Sequence, residues 1–116
     1  MLDDPGAAHL FGPGSLAEAP FAATIAGRPL QGTIDRLLVT PTHILAVDFK
    51  SNRQVPARPE DVPEGILRQM GAYAAALAQI FPDRRVEVAV LWTQGPQLMP
   101  LPPDIVREAF TRTTIP

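Results

Sequence analysis

A mixed β-sheet flanked by α-helices, the α/β class, is what the pattern of this sequence predicts. Three observations carry that reading. Several apolar runs have the length and β-branched content of strands, and turn residues separate them. One long segment, residues 64–80, is instead apolar at helical spacing. A second helical pattern follows the last strand, so helices and strands alternate late in the chain and pack in layers.

In order, residues 1–19 show little periodicity. Pro5-Gly6, Gly12-Pro13-Gly14 and Pro20 punctuate them, and they read as an irregular N-terminal arm with one helical turn over Ala7 to Phe11. The folded core is expected over 20–116. Ala22 to Ala26 forms an edge strand, with Pro20 ahead of it, and Gly27-Arg28-Pro29 turns the chain. Leu30 to Val39 is a second strand. Gly32 within it signals a bulge or the close approach of another group. Thr40-Pro41-Thr42-His43 turns into a third strand, Ile44 to Lys50.

Ser51 to Pro63 carries Pro56, Pro59 and Pro63 and reads as a stiff irregular loop. Pro63-Glu64 then opens a helix, since proline and an acid are both favoured in the first turn. Ile66, Met70, Tyr73, Leu77 and Ile80 make its apolar stripe, with Gln69 and Tyr73 together on one shoulder. Pro82-Asp83 stops it. Val86 to Trp92 is a β-branched strand suited to a central position, and Gln97 to Leu101 is a short edge strand. Pro102-Pro103-Asp104 starts a final helix through about Thr111, with Ile105, Ala109 and Phe110 toward the sheet.

Composition narrows the function classes. The chain has 116 residues, 46% hydrophobic and 19% charged, which suits one folded domain with one modest core. It has no cysteine, so disulfides and thiolate metal sites are excluded. No apolar run approaches the roughly 20 residues of a membrane span. The acidic start, Met1-Leu2-Asp3-Asp4-Pro5, lacks the order of a signal peptide. A cytoplasmic protein with no membrane partner is the expectation. The net charge of −2 announces no overall basic field, although Arg53 to Arg58 and Arg84-Arg85 form local basic stretches.

The chemistry centres on Val47-Asp48-Phe49-Lys50. Side chains at i and i+2 share one face of a strand. Asp48 and Lys50 therefore point one way, while Val47 and Phe49 point into the opposite face. Of the ten basic residues, nine are arginine, and the single lysine is Lys50. A compact ammonium at that position suggests a chemical requirement rather than a general need for charge. If the hairpin is symmetric about Pro41-Thr42, Asp35 stands opposite Asp48. Two carboxylates ~5 Å apart at an effective dielectric near 20 repel by about 3 kcal/mol. A divalent cation between them explains the arrangement. Oxygen ligands select Mg²⁺ or Mn²⁺, and two carboxylates with a lysine suit metal-assisted hydrolysis of a phosphodiester.

Three stretches then resemble a known family. Gly32-Thr33-Ile34-Asp35, Val47-Asp48-Phe49-Lys50-Ser51-Asn52 and Gln69-Met70-Gly71-Ala72-Tyr73 are similar, in that order, to the motifs of the RecB-type branch of the PD-(D/E)XK nucleases. The flanks Leu10 to Gly14, Glu18 to Phe21 and Ala89 to Thr93 resemble the carboxy-terminal nuclease domains of AddA-type helicase–nuclease subunits.

The resemblance implies a restriction-endonuclease-like core and a Mg²⁺- or Mn²⁺-dependent DNA nuclease acting in double-strand break repair. DNA, helicase domains of a parent chain and a second helicase–nuclease subunit are the partners it implies. Asp35 and Asp48, with the Phe49 backbone carbonyl, would hold the metal, and Lys50 would be the catalytic lysine. Gln69 and Tyr73 would line the site and position DNA or the lysine, and Glu18 would be the acid preceding the second strand. The branch also carries a histidine on a helix upstream of these motifs. His9 stands in a different context, so the resemblance implies weak or no cleavage by these 116 residues alone. A catalytically silent DNA-binding or subunit-assembly module with the same fold is the competing reading. In an assembly module, exposed sheet edges would pair with another chain.

Overall fold

The computed structural model describes residues 15–95 and 97–114. The strands β1 (Ser15–Ile25), β2 (Arg28–Val39), β3 (His43–Lys50), β4 (Arg85–Trp92) and β5 (Gln97–Leu101) form one sheet in sequence order. Helix α1 (Glu64–Ile80) crosses from β3 to β4 and makes that pair parallel, whereas the other neighbours are antiparallel. Helix α2 (Pro103–Thr114) follows β5. The mixed sheet with flanking helices is the architecture expected from sequence, and β1 and β5 are its edges. No helix among the described residues is long and apolar enough to cross a membrane.

Both helices pack on one face of the sheet. Ile34, Ile44, Ala46, Val88, Val90 and Trp92 from the strands meet Met70, Leu77, Val106 and Ala109 from the helices in the main core. Each buried side chain of the size of Met70 or Leu77 contributes about 1.5–3 kcal/mol. The opposite face carries a smaller cluster of Val47, Ala89 and Leu91, against which Leu45, Phe49 and Leu98 pack. Strand alternation thus sends Val47 and Phe49 one way, and Ala46 and Asp48 the other.

Helix α1 runs over the expected residues, but its buried face also includes Leu67 and Gly71. Ile80, expected in the stripe, is 43% exposed. Phe81, just past the helix end, packs against the core instead. Gly71 is where the helix backbones approach closely. A Cβ there would lie 2.3 Å from the Val106 carbonyl oxygen, so only glycine allows this approach. The Arg112 side chain on α2 pairs with Glu64 in the first turn of α1.

Two features of the β1–β2 hairpin differ from expectation. The strand begins at Ser15, so residues 15–19 belong to the sheet and not to an irregular arm. They pair with β2 from Ser15↔Leu38 onward, and ladder hydrogen bonds outweigh their weak apolar alternation. The turn is Ala26-Gly27, both at positive φ, with Arg28 already paired to Ile25. Two such residues make the tight turn that matches strand twist. The expected helical turn over residues 7–11 lies outside the described residues. Gly32 does mark a close approach, because a Cβ there would meet the Phe21 ring at 3.1 Å.

Candidate active site

The β2–β3 ladder runs from Val39↔Ile44 to Arg36↔Val47. This is the register expected from the Pro41-Thr42 turn, and it makes Asp35 and Asp48 the next residues beyond the ladder's open end. There the pairing changes character. The backbone N–H of Phe49 donates to Oδ2 of Asp35 at 2.8 Å, so a side chain takes over where the neighbouring backbone would have accepted. Ile34 and Leu37 both reach the main core although an odd number of positions separates them. The face that β2 presents therefore switches between them, at Asp35-Arg36.

Glu18 lies on β1 across from this switch. Its neighbours pair as Ala17↔Arg36 and Ala19↔Ile34, while Glu18 itself is unpaired and held at φ 48°. A non-glycine residue in the left-handed region is uncommon and costs free energy. Its side chain is exposed. Among the described residues no group of three or more His, Cys, Asp or Glu side chains is placed to hold a metal ion, so Glu18 does not join the two aspartates in such a cluster.

Asp48 is 4% exposed, the one buried charged residue described. Its buried Oδ2 pairs with Nζ of Lys50 at 2.8 Å, and no further hydrogen-bond partner meets it among the described residues. Burial pushes the Asp48 carboxyl above its usual range. The Lys50 ammonium pulls it back in part, and the adjacent Asp35 carboxylate pushes it further up. Burial therefore outweighs the ion pair. Lys50 keeps about a quarter of its side chain exposed, so its ammonium stands at the boundary between the core and whatever binds outside.

The backbone of Lys50 is also fixed. Both the N–H (2.9 Å) and the hydroxyl (3.2 Å) of Thr93 donate to the Lys50 carbonyl. Sequence reasoning did not single out Thr93, since its role follows from the parallel pairing Lys50↔Trp92, which neither strand announces. Successive residues of a strand turn their backbone groups to opposite sides. The Lys50 carbonyl faces β4, and the Phe49 carbonyl accordingly faces the Asp35 side.

Gln69 and Tyr73 come together above this strand end. The Gln69 side-chain amide donates to the Tyr73 hydroxyl at 2.9 Å, and that hydroxyl donates to the Thr33 carbonyl at 3.3 Å. The Phe21 ring meets Tyr73 edge-on, with centroids 5.4 Å apart. Burial raises the Tyr73 hydroxyl pKa, as do the nearby charges of Asp48 and Asp35, against the lowering effect of the Gln69 hydrogen bond. Tyr73 thus stays a neutral donor. The Gln69 amide is thus committed to Tyr73, one helical turn away on the same face.

Asp35, Asp48 and the Phe49 carbonyl form an all-oxygen set, with one buried carboxylate oxygen whose partner is the Lys50 ammonium. That fits a hard divalent cation, which completes its shell with water and substrate oxygens. The model for the PD-(D/E)XK nuclease superfamily matches residues 8–107. No curated protein matches the chain. Among solved structures, the crystal structure of SSO0001 is similar, with a TM-score of 0.55 and 12% identity. The match covers 95% of this chain and 55% of that one, so this chain spans about half its length. At that identity the likeness shows the fold.

Proposed function

The chain belongs to the PD-(D/E)XK nuclease superfamily, and on that premise we propose that it hydrolyses DNA phosphodiesters with Mg²⁺ or Mn²⁺ at Asp35, Asp48 and Lys50. The observation that carries the reading is the buried Asp48 carboxylate, beside Asp35 and held 2.8 Å from the only lysine. A surface charge pair has no reason to accept that burial.

Asp35, Asp48 and the Phe49 carbonyl would hold the cation. When bound, it supplies charge neutralisation at the phosphate and a more acidic water. Lys50, whose ammonium sits beside the carboxylates at 2.8 Å from Asp48, would donate to a phosphate oxygen or orient the attacking water. Thr93 fixes the Lys50 backbone through its two hydrogen bonds to the Lys50 carbonyl. The Gln69–Tyr73–Thr33 chain holds the α1 N-terminal half against β2 beside the carboxylates. The resemblance of the flanks, Leu10 to Gly14, Glu18 to Phe21 and Ala89 to Thr93, to AddA-type nuclease domains supports an AddA-like role in double-strand break repair, with helicase domains and a second subunit as partners.

The test is cleavage of linear DNA by the chain, alone and joined to an upstream histidine-bearing helix of the kind the resemblance implies, with Mn²⁺ and with chelator. The expected result is cleavage that requires the metal and disappears in Asp48→Asn. Cleavage that persists undiminished in chelator overturns the reading.

A further inference from the structure

The loop that leaves Lys50 has a charge arrangement that the catalytic reading does not use. Asn52, Arg53, Gln54 and Asp61, with Pro56 and Pro63, line an open recess of about 560 Å³. Its one carboxylate, Asp61, is engaged by Arg58 at 3.3 Å. Arg53 is exposed and has no acidic partner among the described residues. The exposed side-chain amides of Asn52 and Gln54 flank it. The recess therefore carries one free guanidinium and two neutral amides.

The loop is anchored, so this display has a fixed place. Val62 is buried in the main core, and Val55 packs against it. The turn Pro59–Asp61 is a single 3₁₀ helix, and the Arg58–Asp61 pair spans it. Three prolines between Pro56 and Pro63 restrict the backbone further.

We propose that this recess binds a second phosphodiester of the substrate strand, with Arg53 as its phosphate ligand and Asn52 and Gln54 as supporting donors. The proposal rests on the nuclease reading and adds a substrate contact to it. A guanidinium matches phosphate oxygens through paired hydrogen bonds. Three residues of chain extend at most roughly 11 Å, and a strand presents one phosphate per about 3.4 Å of axis. The Arg53 backbone therefore lies within roughly 11 Å of that of Lys50, a separation that a short stretch of one strand can span. A chain of net charge −2 with two aspartates at its centre needs such a cation to hold a polyanion.

The test is the affinity of a fluorescein-labelled single-stranded DNA, read by anisotropy with Ca²⁺ replacing the catalytic metal, over a range of salt. Arg84→Ala is the control of equal charge. It lies beside Arg85, which pairs with His43 at the other end of β3. Arg53→Ala is expected to weaken binding about tenfold and to reduce the salt slope by about one. Arg53→Lys should recover part of both effects, and Arg84→Ala should follow the parent. Arg53→Ala binding with the parent's affinity and slope overturns the inference, as does a parent that binds no DNA. Arg53-dependent binding together with cleavage that persists undiminished in chelator sustains the inference and overturns the metal-dependent nuclease reading. Cleavage by the parent with unaltered DNA affinity in Arg53→Ala does the reverse.

Discussion

Lys50→Ala is expected to abolish or nearly abolish DNA cleavage, by at least about 100-fold, while leaving metal binding in place. The size follows from removing a preorganised donor to a reacting oxyanion, which costs about 10²–10³ in rate. The ammonium is not a metal ligand, so its loss should not release the cation. It does remove the one ion pair of the buried Asp48. The variant therefore isolates the chemical role of Lys50 once a melt in Mn²⁺ shows that it is folded. Undiminished cleavage by Lys50→Ala contradicts the proposed role.

Mn²⁺ is expected to raise the melting temperature of the parent, because the ion binds the folded site and not the unfolded chain. At about 100 times the dissociation constant the gain is about 2.7 kcal/mol, or roughly 10 °C or more for a domain of this size. Asp48→Asn should lose most of that response. The metal-free parent carries a further signature. The Asp48 carboxyl is raised above its unfolded value by burial first, against Lys50 and with Asp35. Such a group favours folding fully below its unfolded pKa, and that contribution is lost as pH rises through the raised folded pKa. In chelator, the parent should therefore gain stability relative to Asp48→Asn on moving from neutral to mildly acidic pH. Urea titrations at both pH values check this sign, and an equal pH response in the two proteins contradicts it.

Much of the site was legible because turn chemistry fixes register. Pro41-Thr42 sets the β2–β3 pairing, and the period of two then sorts Asp48 and Lys50 from Val47 and Phe49. Helix α1 was legible in both bounds, since Pro63 and Pro82 bracket it. What stayed hidden depends on tertiary contact. The first residues of β1 lack a clean alternation and owe their strand state to pairing with Arg36, Leu37 and Leu38. The positive φ at Glu18 and the face switch at Asp35-Arg36 break the alternation from which a sequence reading works. The part played by Gly71 appears only once α2 lies against it. Thr93 is one step beyond a strand whose parallel partner is distant in sequence.

The central claim is that Asp35 and Asp48 share one divalent cation, and Mn²⁺ binding followed by electron paramagnetic resonance tests it most directly. The account expects one tightly bound ion in the parent and in Lys50→Ala. It expects that ion to be lost in Asp35→Ala and in Asp48→Ala, with both variants shown to be folded by circular dichroism. A parent that binds no Mn²⁺ contradicts the account, and so does a doubly substituted Asp35→Ala/Asp48→Ala protein that binds as the parent does.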